Sequence, residues 1–141
     1  MPVAAARAVP STRYAQADCL TDWLSGRDLI GAGQYWTIRP IQVYNPSVHL
    51  MQIEPIAEPY IWLNDLDAYR VSTVDYVLVD APAEALGWGT ALRQTYGEPS
   101  SVVACGLYSI YDYDGATGQQ RLTHDIVTAA AKARAARGWG P

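Results

Sequence analysis

The sequence is short of several residue types that would point to a particular activity. Its 141 residues include no phenylalanine, two histidines and two cysteines. Zinc sites need three or four His, Cys or carboxylate ligands at characteristic spacings, and His49 and His124 are not part of such a pattern. The chain also has no nucleophile elbow, Walker loop or His-Glu-x-x-His motif. We therefore expect neither a metal nor a cofactor.

Positive charge and long apolar runs are also scarce. Ten Lys and Arg residues against 14 Asp and Glu give a formal net charge of -4. Affinity for nucleic acid comes mainly from neutralising phosphates, so this balance argues against a nucleic-acid partner. No apolar run approaches the roughly 20 residues that cross a bilayer. We expect a soluble chain without a transmembrane segment.

What the chain does contain indicates one folded domain. Half of its residues are hydrophobic and 17% are charged, and this composition argues against disorder. We expect a layered α/β domain with a mixed, mostly parallel sheet of about four to five strands, flanking helices and a C-terminal helix. The domain is expected to span residues 12–138, after a flexible lead-in at 1–11 and before a tail at 139–141.

Apolar spacing and breaker residues divide the chain into elements. In order, these are a helix (14–24), a glycine-rich turn (29–33), an ambiguous segment (35–44), a strand (48–54), a short helix ending at 70, a central strand (74–81), a helix (83–96), paired strands (101–104 and 107–113) and a helix (123–137). The ambiguous segment fits a helix or a strand, because Pro40 lacks a backbone donor. Thr123 is the expected N-cap of the last helix.

The stretch from Val74 to Ala81 is the expected centre of the fold. Its near-continuous apolar character is typical of a strand covered on both faces. Asp80 lies at its carboxyl end, where open α/β sheets tend to bind ligands. A carboxylate there can bind a metal, a hydroxyl or a cation. The favoured interpretation is structural, with Asp80 capping the backbone amides of Ala83 or Glu84.

Other acidic residues and the cysteines offer weaker candidates. Asp65 with Asp67, and Asp112 with Asp114, form Asp-x-Asp pairs that place two carboxylates on one face of a strand. A solvated turn is the favoured interpretation of Asp112 and Asp114, which otherwise join Asp80 as candidate catalytic residues. Cys19 and Cys105 allow one disulfide, although free thiols are favoured and two cysteines do not fix the compartment.

The aromatic residues are the most distinctive feature. All 15 are Tyr or Trp, so every ring also carries a polar group. Several are expected in loops or at element ends, where they can stack on a sugar ring beside polar neighbours. The candidate ligand-binding residues are Tyr35, Trp36, Arg39, Tyr60, Trp62, Asn64 and Asp65. Core packing with a subunit interface is the favoured interpretation of these aromatics, and Trp88 belongs to the same set.

The order of short motifs resembles a known family. A Gly-x-Gly-x-Tyr-Trp run at 31–36 precedes a β segment at 48–54 and Tyr-Ile-Trp-Leu at 60–63. The central strand, Tyr-Gly-Glu-Pro at 96–99 and Tyr111-Asp112 follow. This order is similar to the soluble C-terminal domains of bacterial multi-spanning membrane glycosyltransferases that use lipid-phosphate sugar donors. The resemblance covers roughly residues 14–114, and Pro40 departs from the helix expected after the Tyr-Trp pair.

The resemblance implies a domain on the outer face of the membrane, with catalysis in a membrane portion that this chain does not contain. The leading hypothesis is a non-catalytic accessory domain of a cell-envelope protein that contacts carbohydrate or the membrane portion of its parent. Without the resemblance, a cytoplasmic location is expected. One alternative is a small freestanding enzyme in which Asp80, Asp112 and Asp114 have a metal-assisted or acid/base role. The other is a structural domain that forms a homodimer through its Tyr and Trp surface.

Overall fold

The computed structural model describes residues 13–53 and 69–138. A 3₁₀ turn at Ala15–Ala17 precedes the regular elements. These are α1 (Asp18–Leu24), β1 (Ile30–Gly33), α2 (Tyr35–Tyr44), β2 (His49–Gln52), β3 (Tyr76–Asp80), α3 (Ala81–Ala85), α4 (Trp88–Tyr96), β4 (Ser101–Ala104), β5 (Tyr108–Asp112) and α5 (Gln119–Ala136). None of the helices within these ranges has the length and apolar character needed to cross a membrane.

The five strands form one mixed sheet in the order β2-β1-β3-β5-β4. Strand β1 pairs in parallel with β2 and β3. Strand β5 runs antiparallel to both β3 and β4. The parallel part therefore includes the centre of the sheet, and the antiparallel hairpin completes one edge. The predicted α/β class with a mixed sheet, flanking helices and a C-terminal helix is confirmed.

Strand β3 is the middle strand, and its five residues are all buried. Because side chains alternate across a strand, its two faces belong to two separate cores. Val77 and Val79 pack on the face covered by α4 and α5. Tyr76 and Leu78 pack on the other face, which α1 and α2 cover. The prediction that 74–81 contains a central strand covered on both faces is confirmed.

The interpretation of 29–33 as a glycine-rich turn is wrong, because Ile30–Gly33 is strand β1. A glycine normally weakens a strand, but it also allows another group to approach closely. A Cβ atom on Gly31 would lie 2.2 Å from Cε2 of Tyr76, so the tyrosine ring occupies the space of the missing side chain. The Tyr76 ring on the neighbouring strand β3 therefore explains why position 31 is a glycine.

The ambiguous segment 35–44 is a helix, α2. Pro40 lies inside it and has no N–H to bond to the Trp36 carbonyl, so one helical hydrogen bond is missing. Ile38 and Ile41 are buried against the sheet and hold the helix in place despite that loss. Tertiary packing therefore overrides the local effect of the proline.

Two further helix boundaries differ from those predicted. The single helix expected at 83–96 is split into α3 and α4 at Gly87, whose φ is 85°. The Glu84 carboxylate accepts a hydrogen bond from the Gly89 amide across this break. The last helix begins at Gln119 with Gly118 as its N-cap. The prediction that Thr123 caps it is wrong, because its hydroxyl instead accepts from the Val74 amide.

Candidate functional site

The candidate site lies at the carboxyl ends of β1 and β3. These neighbouring strands are parallel, and the chain leaves them toward opposite faces of the sheet. After β1 it enters α2, which packs on the Leu78 face. After β3 it enters α3, whose Ala83 packs on the Val77 face. Two adjacent strands with diverging connections leave a crevice between them, which is where open α/β sheets bind ligands.

A cavity of about 240 Å³ occupies this position. Its polar lining includes Asp80 at the end of β3, Thr37 in the first turn of α2 and Gln16 in the 3₁₀ turn. The volume is below the usual range for sites that enclose drug-sized molecules. It therefore suits a small ligand or one ring of a larger one.

Asp80 is 8% exposed and accepts two hydrogen bonds from neutral donors. Its Oδ1 accepts from the Ala83 amide at 2.8 Å, which makes Asp80 the N-cap of α3. Its Oδ2 accepts from the Thr37 hydroxyl at 2.5 Å. The structure therefore contains the cap on Ala83 that the sequence favoured, and it also places the carboxylate in the wall of the cavity. Both of its roles are compatible, since each carboxylate oxygen has two lone pairs.

Three aromatic side chains also line the cavity. Trp36 is 78% exposed, which is unusual for so large a side chain, and the Tyr35 ring packs edge-on against it at a centroid distance of 4.9 Å. Tyr14 and Tyr108 also line the cavity. The Tyr108 hydroxyl donates to the Gln16 carbonyl at 2.7 Å, which ties the start of β5 to the N-terminal turn.

A disulfide joins Cys19 of α1 to Cys105, which lies in the turn between β4 and β5. Gly106 in this turn has a φ of 79°, a left-handed conformation that glycine adopts without strain. The two cysteines are 86 residues apart in sequence. Their bond fixes the N-terminal segment that carries Tyr14 against the hairpin that carries Tyr108, and so it holds two walls of the cavity together.

The other candidate carboxylates lie elsewhere. Asp112 pairs with Tyr76 at the start of β3, whereas Asp80 pairs with Tyr108 at its end. Four residues of strand place the two ends about 13 Å apart. Asp112 accepts from the Asp114 amide at 2.9 Å in a turn, as expected of the solvated-turn interpretation. Within residues 13–53 and 69–138, no three His, Cys, Asp or Glu side chains are grouped so that they could hold a metal ion.

The remaining predicted ligand-binding residues separate into three groups. Trp36 lines the cavity, and Tyr35 packs against Trp36 without being part of the lining. Arg39 is exposed on α2, where its guanidinium donates to Gln42 at 3.4 Å. Tyr60, Trp62, Asn64 and Asp65 lie outside the described residues. Trp88 is 5% exposed and packs in the core with α5, so the core-packing interpretation applies to it.

Sequence reasoning missed Tyr14, Gln16, Thr37 and Tyr108 as cavity residues. The sequence could have identified Thr37, because it lies in the first turn of a helix that follows a strand, and ligands often bind there. The other three had none, since the N-terminal turn and the β4–β5 hairpin meet only in the folded chain. Comparison with known protein families, curated proteins and solved structures gives no match for this chain.

Proposed function

We propose that this chain is a non-catalytic binding domain whose cavity at the ends of β1 and β3 takes a sugar ring. The observation that carries the proposal is the pairing of an exposed tryptophan, Trp36, with a buried carboxylate, Asp80, in one small cavity. An indole offers a flat apolar face for the C–H face of a sugar. A carboxylate and the nearby Thr37 and Gln16 offer hydrogen-bonding groups for hydroxyls.

We further propose that the domain is an accessory part of a cell-envelope, glycosyltransferase-like membrane protein. This part of the proposal rests on the sequence resemblance. The Cys19–Cys105 disulfide supports a location outside the cytoplasm, because disulfides persist mainly in oxidising compartments. The alternative of a freestanding enzyme loses its combined carboxylate site, since Asp80 and Asp112 lie at opposite ends of β3. A homodimer stays a prediction that light scattering can check.

The test is isothermal titration calorimetry with a panel of monosaccharides and short oligosaccharides. We expect at least one sugar to bind the wild-type domain, and Trp36→Ala to weaken that binding at least about tenfold. Leu86→Ala is a matched control, because Leu86 is 77% exposed but does not line the cavity.

Both variants should melt within a few degrees of the wild type, since neither removes a buried side chain. Absence of binding by every sugar in the panel, or binding that Trp36→Ala leaves unchanged, would refute the proposal. Equal losses in Trp36→Ala and Leu86→Ala would place the ligand on the surrounding surface rather than in the cavity.

A further inference from the structure

Three aromatic rings surround the cavity from three different parts of the chain. Tyr14 precedes the 3₁₀ turn, Trp36 is in the first turn of α2, and Tyr108 begins β5. The face of each ring carries partial negative charge, and tryptophan attracts cations most strongly. A lining that includes three such rings favours a positively charged group over a negatively charged one.

Among residues 13–53 and 69–138, Asp80 is the only charged side chain that lines the cavity, and it is negative. Asp80 receives its hydrogen bonds from the Thr37 hydroxyl and the Ala83 amide, which stabilise the carboxylate but carry no formal positive charge. Across residues 13–53 and 69–138, no basic side chain forms an ion pair with it. Burial of a carboxylate without an opposite charge is unfavourable, so a ligand cation would gain from this position.

Two neighbouring features are compatible with the same preference. Arg39, on the helix that carries Trp36, donates to Gln42 and is not part of the lining. Burial is the largest cause of the raised pKa of the Tyr108 hydroxyl, and a backbone hydrogen bond partly opposes it. The Tyr108 side of the cavity is therefore poorly solvated, and the nearby Asp18 carboxylate is itself paired with Arg13.

We propose that the ligand of this cavity carries an ammonium group held by Asp80 and the three rings. Combined with the proposed function, on which this step rests, the ligand is an amino sugar with a free amine. N-acetylation would remove the positive charge and add bulk. The cavity would then distinguish a free amino sugar from its N-acetylated form and from a neutral hexose.

The experiment compares glucosamine, N-acetylglucosamine, glucose and choline by calorimetry at neutral pH. We expect glucosamine to bind about tenfold or more tightly than either neutral sugar, with affinity that falls as salt is added. Asp80→Asn should bring glucosamine down to the level of glucose. Its amide oxygen still accepts from the Ala83 amide, so α3 keeps its cap.

The outcomes separate this inference from the proposed function. Equal binding of glucosamine and glucose would overturn the ammonium preference and leave the sugar-binding proposal standing. Asp80-dependent binding of choline without binding of any sugar would support the ammonium site and overturn the sugar. Failure of all four probes at millimolar concentration would overturn the ammonium inference, and failure of the wider sugar panel as well would overturn the proposed function. The circular dichroism spectrum of Asp80→Asn must match that of the wild type. Thr37→Val is a second variant, which keeps the Asp80 charge and should keep the preference for glucosamine over glucose.

Discussion

Two aspartates flank the central strand, and comparing them shows what makes one a candidate site. Asp75 precedes β3 and is 5% exposed, and Asp80 ends it and is 8% exposed. Each carboxylate accepts two hydrogen bonds from neutral groups. Asp75 accepts from the Ile30 amide at 2.7 Å and from the Gln119 side chain at 2.8 Å. In residue type, burial and hydrogen bonding, the two are nearly equivalent.

They differ in what lies beside them. Asp75 links β1 to the start of α5, and its backbone also bonds to Ile30 and Tyr113. Asp80 links α2 to α3, but a cavity and an exposed tryptophan remain at its side. Asp75 therefore acts as a connection between elements, whereas Asp80 combines that structural task with access to a ligand. The available space beside a carboxylate, more than its type or burial, separates the two roles.

The largest expected effect comes from the disulfide, which braces only the Asp80 end. Replacing both Cys19 and Cys105 by Ser should lower the free energy of unfolding by about 4–5 kcal/mol, because the unfolded chain loses a long closed loop. Urea unfolding of the double variant measures this. A reductant should lower the free energy of unfolding of the wild type by a similar amount and leave that of the double variant unchanged. An unchanged urea midpoint would show that the bond adds no constraint.

The second effect tests the Asp75 end. Asp75→Ala leaves the Ile30 amide without an acceptor and leaves the Gln119 side-chain amide with only its longer bond to the Val74 carbonyl. We expect it to lower the free energy of unfolding by about 3 kcal/mol. Asp80→Ala removes one cap and one hydroxyl partner beside the cavity, where water can replace the carboxylate, and should cost about 1 kcal/mol. Urea unfolding of both variants compares how much Asp75 and Asp80 contribute to the free energy of unfolding. A larger loss for Asp80→Ala would reverse our assignment of the connecting role.

The smallest effect concerns alkaline pH and the tyrosines at the two ends. Burial raises the pKa of Tyr113, near Asp75, to about 12, and it also raises the pKa of Tyr108, near Asp80. A raised tyrosine pKa means that the folded state holds its proton more tightly than the unfolded state. This contribution is fully present below the ordinary value of 10.0 and is lost as the pH rises through the folded pKa.

We therefore expect stability to fall above pH 10, and Tyr113→Phe to make that fall less steep. Urea unfolding across an alkaline pH series, followed together with tyrosinate absorbance, measures both. Tyr44→Phe is the control, because Tyr44 is 47% exposed. If Tyr44→Phe and Tyr113→Phe change the pH profile equally, burial of Tyr113 is not the cause.

Much of the fold was predictable because it follows from local patterns. The apolar run at 74–81 indicated a central strand, and Pro82 after Asp80 indicated a helix that Asp80 caps. The predictions were wrong where a residue distant in sequence determines the local structure. Glycines at 31 and 33 normally favour a turn, but the Tyr76 ring from a neighbouring strand covers Gly31. Thr123 has the residue type of a cap, but the Val74 amide takes its hydroxyl as an acceptor.

The sequence by itself determined the α/β class, the central strand and the capping role of Asp80, since apolar spacing and capping act over a few residues. It also singled out Trp36 and Asp80, but as separate candidates. Only the tertiary structure decided that they share a cavity, that Tyr14 and Tyr108 complete it, and that Asp112 lies at the other end of β3. The physical reason is that a binding site is a volume between elements, and its shape depends on contacts between residues far apart in the chain.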